Sequence, residues 1–315
     1  MKDQNHGEPM LIDLCDVGPR DGFQFEVVPI PTQLKLDTIR DLMSSGIRRI
    51  QATSFVHPGR VPQMADAEAL LGEFLPEATA AGATLSALAL NMRGVERAAA
   101  AGVLCLDLSI ALNETHARDN ANSTVREGIR DVEAMIRTAQ SEGMQVQLGL
   151  QTVWGYNAPD DTPEALILEV VQHFRGAGLE SLSLADSTGM AAPPSIRRML
   201  DNVRSADPAT PIVLHLHDTR GLGLANIACA LDWGVRRFDT SFGGLGGCPF
   251  IPGATGNVAT EDVSYLANRL GYRTDIDVAK VAALSRRIEA HVGHPLSGRN
   301  YKLLSPLSSG PGRPR

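Results

Sequence analysis

Short apolar runs alternate with longer amphipathic ones along most of this chain. The short runs are Leu11–Cys15, Arg49–Ala52, Leu85–Leu90, Leu104–Ile110, Gln145–Leu150, Ser181–Ala185, Ile212–Leu216 and Arg237–Ser241. They are rich in leucine and β-branched residues. Several are almost continuously apolar, as parallel strands buried on both faces are. Between them, Gln33–Ser45, Val125–Ser141, Pro163–Ala177 and Gly221–Trp233 carry apolar residues at helical spacing. Glycine at Gly102, Gly143, Gly178 and Gly234 closes a helical pattern just before a strand opens, which is the helix C-cap signal. Eight strands with helices between them predict an α/β chain folded as a (β/α)8 TIM barrel. Helical patterns at about Thr260–Leu270 and Asp277–Val292 follow the eighth strand as additional C-terminal helices. One catalytic domain over residues 1–293 is expected, then a tail over 294–315 whose end, Ser308–Arg315, reads as disordered.

Chemistry in such barrels gathers just after the strands, so the strand ends are the places to inspect. The first strand runs into Asp16-Val17-Gly18-Pro19-Arg20-Asp21-Gly22. A Gly-Pro turn there sets Arg20 and Asp21 side by side at the barrel mouth. A carboxylate suits a hard divalent metal, and the arginine could hold a substrate carbonyl or carboxylate. The seventh strand ends in His215-Leu216-His217-Asp218. Alternate strand residues point to one side, so both imidazoles can converge on one ion. With Asp21 this makes a metal site the expected reading. The second strand delivers the Gln51 amide to the mouth and the sixth delivers the Asp186 carboxylate. His57, in a loop, reads as solvated.

After the eighth strand comes a glycine- and proline-rich loop, Phe242 to Asn257, around Cys248. A loop of that length in a compact barrel is usually a lid or a binding loop. A thiol on it reads as an acid/base or a nucleophile. Asn257, next to the following helix, could cap that helix or give its amide oxygen to a metal.

Composition narrows the class further. The chain has 315 residues, 43% hydrophobic and 21% charged, with a net charge of −7, which disfavours nucleic acid or an anionic membrane as the main partner. No apolar run is long enough to span a bilayer, and the polar start MKDQNHGEPM has no signal-peptide core. A cytoplasmic protein is expected. The four cysteines, Cys15, Cys105, Cys229 and Cys248, form no Cys-x-x-Cys pair, so neither a zinc ribbon nor a redox motif is indicated. Cys15, Cys105 and Cys229 lie in apolar segments and read as buried thiols.

At these motifs the chain resembles the 3-hydroxy-3-methylglutaryl-CoA lyase family, within the wider group of pyruvate-carboxyltransferase-like metal-dependent barrels. The resemblance spans about Leu11 to Leu270. It is most specific in GGLGGCPFIPGATGN, then in HLHDTRGLGLAN and VGPRDG, with TSFVHPGRVPQMAD similar as well. It implies a carbon–carbon lyase with an acyl-CoA substrate and a homodimeric assembly. It implies Mg²⁺ or Mn²⁺ held by Asp21, His215, His217 and Asn257. Arg20 is then the residue that steadies the thioester carbonyl or the enolate, and Cys248 the lid cysteine that protonates the enolate. Asp186 is the acidic residue near the substrate hydroxyl, and a better base than a metal-bound His215. Gln24, Phe25 and Gln51, with Arg20, are expected to line the substrate pocket.

Two residues depart from the family pattern, which usually has Glu at Gln51 and Asn at Phe25; Val27–Pro29 also lacks a lysine frequent there. These changes bear on the acyl group more than on the reaction, and citramalyl-CoA or a longer branched analogue stands beside 3-hydroxy-3-methylglutaryl-CoA. The alternatives are a Claisen condensation enzyme of the isopropylmalate-synthase kind, an aldolase of hydroxy-oxo acids and a non-catalytic acyl-CoA binder. The first usually carries a C-terminal regulatory domain that is absent here, and Cys248 fits a CoA lyase better than an aldolase.

Overall fold

Alternation of strand and helix carries through to the tertiary level in the computed structural model, which describes residues 9–247 and 255–304. The strands are β1 (Asp13–Asp16), β2 (Arg49–Ser54), β3 (Thr84–Leu88), β4 (Cys105–Ala111), β5 (Gln145–Gln151), β6 (Ser181–Asp186), β7 (Ile212–Leu216) and β8 (Arg237–Thr240). They close in sequence order, β8 pairing with β1, and every pairing is parallel. The barrel expected from the sequence is the barrel observed.

The helices are α1 (Thr32–Ser44), α2 (Ala67–Ala80), α3 (Met92–Ala100), α4 (Glu114–Ala121), α5 (Val125–Ser141), α6 (Glu164–Phe174), α7 (Pro193–Ala206), α8 (Gly223–Trp233), α9 (Thr260–Arg269), α10 (Val278–Val292) and the short α11 (Asn300–Leu303). α5 shows why such segments are helical. Thr124 accepts from the Glu127 amide while Glu127 accepts from the Thr124 amide, which caps the first turn. Val132, Met135, Ile136 and Ala139 then recur at helical spacing and are buried; each of the larger ones contributes about 1.5–3 kcal/mol by leaving water. No helix among the described residues is long and apolar enough to cross a membrane.

The barrel lumen is polar. Arg49 of β2 and Arg237 of β8 both reach Glu180, just before β6, at 3.3 and 2.5 Å, and both pair with Asp13 of β1. Cys15 and Cys105 belong to this polar interior, not to an apolar core. Burial, then the nearby Asp239, pushes the Cys15 thiol up, and Cys105 lies against the Gln145 side-chain oxygen.

Residues 294–304, assigned to the tail by the sequence reading, pack on the barrel. Leu296 and Tyr301 are buried. Ser297 and Gly298 donate to the carbonyls of Gly244 and Gly243, and Arg299 to the Asp218 carboxylate. Ser308–Arg315 lie outside the described residues.

Candidate active site

The end of β1 turns sharply into a π-helical turn, Gly18–Gly22, wholly buried. Gly18 is required there by crowding: a Cβ would sit 2.5 Å from the Phe242 ring. The turn is anchored by Asp16, which accepts from the Gly18 amide at 2.9 Å and from the Thr260 hydroxyl at 2.8 Å. Burial, offset by those hydrogen bonds, raises the Asp16 carboxyl to about 7. One buried carboxyl group therefore ties the β1 turn to the start of α9.

That turn aims Asp21 at the end of β7. His215 Nε2 and His217 Nε2 are 3.2 Å apart, and they lie 3.8 and 3.9 Å from Asp21 Oδ2. Among the described residues these three form the group with ligand atoms close enough to hold one metal ion. The two Asp21 oxygens have separate tasks. Oδ1 accepts from Arg20 Nη1 at 2.5 Å and from Gln24 Nε2 at 3.1 Å, while Oδ2 faces the imidazoles. Burial alone would raise this carboxyl, but Arg20, both imidazoles and Asn257 outweigh it and hold it at about 2.

Asn257 reaches the same point by a detour. After the glycine loop the chain returns between the ends of β7 and β8: Val258 donates to the Leu216 carbonyl and accepts from the Ser241 amide. Asn257 bridges His217 in antiparallel fashion, and its Nδ2 donates to Asp21 Oδ2 at 2.8 Å. Gly246, with φ of +141°, leaves room for that amide; a Cβ would stand 2.6 Å from Asn257 Nδ2. Helix α9 begins at Thr260, with Ala259 as its N-cap, so Asn257 does not cap it. Its Oδ1 is buried and has no hydrogen-bond partner, as expected of an oxygen shaped to meet an ion. These donors, one carboxylate, two imidazoles and one amide, fit a divalent metal.

Behind His215 stands Asp239 of β8, a residue the sequence reading did not single out. Its Oδ2 accepts from His215 Nδ1 at 3.2 Å, which leaves Nε2 facing the site. Burial lowers the His215 pKa, but the Asp239 hydrogen bond and Asp21 raise it to a net value above the ordinary one. His217 is held down to about 4 by burial and then by His215, so it is neutral and fit for ligation near pH 7.

A second polar chain leaves Arg20 in the other direction. Its Nε donates to Gln51 Oε1 in a short hydrogen bond. Gln51 Nε2 donates to Asp107 Oδ2 at 2.5 Å, and the Ser86 hydroxyl donates to the same oxygen at 2.7 Å. Burial, partly offset by Gln51 and Ser86, raises Asp107 to about 6.

Among the described residues, two other expected site residues, Phe25 and Asp186, lie apart from this cluster. Phe25 sits in a 3-10 turn and is 38% exposed, so its ring is on the rim rather than against the ligand cluster. Asp186 requires a correction. It stands in register with Leu216, whereas Ala185 is the partner of His215, so its side chain leaves the sheet on the face opposite the imidazoles. Its oxygens accept from the amides of Met190 and Ala191 at 2.8 and 3.0 Å, and burial raises it to about 6. It organises the loop into α7 rather than facing the cluster. Cys248 lies outside the described residues. His57 is exposed, and its ring nitrogen accepts from the Gly59 amide.

The HMGL-like family model matches residues 11–288. A hydroxymethylglutaryl-CoA lyase of Bacillus subtilis is 36% identical over 295 residues, 94% of this chain and 98% of the relative. The chain belongs to the HMGL-like family. As a family member it is a carbon–carbon lyase on a metal-dependent barrel. Solved structures agree. The hydroxymethylglutaryl-CoA lyase from Bacillus subtilis superposes with a TM-score of 0.88 at 35% identity, covering 94% of this chain and 98% of that one. That from Acinetobacter baumannii, in complex with coenzyme A and 3-methylmalate, gives 0.84 at 33% identity, covering 96% and 98%.

Proposed function

We propose that this HMGL-like lyase cleaves 3-hydroxy-3-methylglutaryl-CoA, or a close 3-hydroxyacyl-CoA, to acetyl-CoA and a keto acid. The observation that carries this reading is the Asp21–His215–His217 cluster at the C-terminal mouth of the barrel, with the buried Asn257 oxygen beside it. Those four residues would hold a divalent cation, Mg²⁺ or Mn²⁺. When bound, such an ion acidifies the substrate hydroxyl and stabilises oxyanion charge.

The protein's own groups account for the rest. Loss of the hydroxyl proton lets the bond between C2 and C3 break. C3 becomes a ketone, and the electron pair passes to C2 as the thioester enolate. Arg20 has Nη1 and Nε committed to Asp21 and Gln51, which fixes the plane of the guanidinium. Nη2 is left to meet the thioester oxygen and offset its growing negative charge. The proton acceptor belongs to the inward-facing set around the imidazoles, since Asp186 is turned away from them. Cys248 is proposed as the acid that protonates C2, releasing acetyl-CoA. Gln24 positions Asp21, and Phe25, at the rim, is placed to touch the bulkier parts of an acyl-CoA.

A coenzyme A thioester as substrate is supported by the Acinetobacter relative's complex with coenzyme A and 3-methylmalate. The test is a panel of 3-hydroxyacyl-CoAs, including 3-hydroxy-3-methylglutaryl-CoA and citramalyl-CoA, incubated with the metal-loaded protein. Release of acetyl-CoA together with the matching keto acid supports the reading. Failure across the panel refutes it.

A further inference from the structure

Gln51 stands where the family resemblance leads one to expect Glu, and the structure places a carboxylate, Asp107, directly beyond it. Asp107 stands on β4, two strands from Gln51 on β2, and Ser86 on the intervening β3 is in register with Gln51. All lie in the barrel interior, with Gln51 4% and Asp107 7% exposed. The order along the chain of hydrogen bonds is guanidinium, amide, carboxylate.

That order fixes the amide. Turned over, its NH2 would face the Arg20 N–H and its oxygen would face the Asp107 oxygen. Both contacts would then set like against like. In the observed orientation each contact pairs a donor with an acceptor, and Ser86 supplies Asp107 with a second donor. A glutamate at position 51 would instead place two carboxylates at 2.5 Å, where both cannot stay ionised. Gln51 and Asp107 are therefore complementary: the carboxylate stands one side chain away from the cation and is reached through a neutral link.

We propose that Asp107 is a positioning residue for the lyase reaction, its charge transmitted through Gln51 to hold the Arg20 guanidinium in the plane that meets the thioester. The kinetic part rests on the lyase reading; the pairing of Gln51 with Asp107 does not. The same coupling explains how the barrel tolerates a glutamine at 51 without losing the anchor of its arginine.

The experiment is a double-mutant cycle with Gln51→Glu, Asp107→Asn and the pair together, on the metal-loaded full-length protein. It reads urea unfolding midpoint, Mn²⁺ affinity, kcat and KM. Gln51→Glu is expected to lower the midpoint and to reduce kcat about tenfold or more. Asp107→Asn keeps the hydrogen bond and removes the charge, so it reduces kcat by a smaller factor with KM little changed. In the double variant the carboxylate introduced at position 51 accepts both from Arg20 and from the amide introduced at position 107. The midpoint therefore rises again, and kcat recovers most of the loss seen in Gln51→Glu. Mn²⁺ affinity stays near wild type throughout. A double variant no better than Gln51→Glu in either readout overturns the proposal, as does Gln51→Glu at wild-type stability and turnover. The unfolding readout needs no substrate. Wild-type protein inert toward every thioester would thus refute the lyase reading, while the unfolding midpoints still judge the pairing.

Discussion

Removing the Asp239 carboxylate should weaken metal binding without touching a ligand. Asp239 is 5% exposed and accepts from His215 Nδ1 at 3.2 Å. Water screens so buried a contact poorly, and a hydrogen bond to a charged group is worth about 1.5–3 kcal/mol. Without it, the His215 ring loses both its orientation and its fixed tautomer. Converted at about 1.4 kcal/mol per tenfold, the loss is roughly 10–100-fold in affinity, the range found when carboxylates behind metal-bound histidines are removed. Asp239→Ala is the full perturbation. Asp239→Asn keeps an acceptor oxygen and should lose less. The assay is titration of metal-stripped protein with Mn²⁺, followed by electron paramagnetic resonance near neutral pH. The deficit should narrow as pH falls. Asp239 also raises the His215 pKa, so wild type suffers more proton competition in acid than the variant does. Wild-type affinity in Asp239→Ala would show that Asp239 does not orient His215 and would refute the reasoning.

Other consequences are as direct. Asn257→Ala should weaken Mn²⁺ binding about tenfold or more, because it removes a buried oxygen that has no hydrogen-bond partner, and should lower the unfolding midpoint of the metal-free protein, because it also removes the hydrogen bond to Asp21 Oδ2; unaltered binding would remove Asn257 from the ligand set. Cys248→Ser should retain metal but lose turnover by roughly 10²–10⁴-fold, since a hydroxyl is a far weaker acid than a thiol; full turnover would exclude the thiol as proton donor. Glu261, which accepts from the Gly243 amide and the Ser285 hydroxyl, is raised from 4.5 to about 7 chiefly by burial. A raised folded pKa gives stability that is full below about 4.5 and lost as pH climbs through about 7, here on the order of 3 kcal/mol. Urea unfolding of Glu261→Gln should therefore fall less steeply between pH 5 and 8 than wild type, whereas an identical slope would contradict the assignment.

Much of this was legible from local pattern. The eight strands show because buried parallel strands are apolar along their length. The histidine pair shows because residues two apart share a face, and no distant information is needed. Registers between strands were not legible. Asp186 was found at the right strand end but on the wrong face, and only its pairing with Leu216 rather than His215 reveals that. Asp239 and Asp107 were missed for a related reason. A polar residue inside a short strand gives no local hint of which neighbour it will meet across the lumen. Asp16 ties two chain segments 244 residues apart, a contact that no window of sequence contains. For Asn257 the sequence allows either a cap or a ligand, and the helix start at Thr260 decides against the cap.

The most direct test is product formation from 3-hydroxy-3-methylglutaryl-CoA with and without metal. Protein stripped by a chelator and reloaded with Mg²⁺ or Mn²⁺ should yield acetyl-CoA and acetoacetate in equal amounts, and the stripped protein should yield neither. Equal turnover before and after stripping would contradict the account, and so would a reloaded protein that leaves the thioester intact.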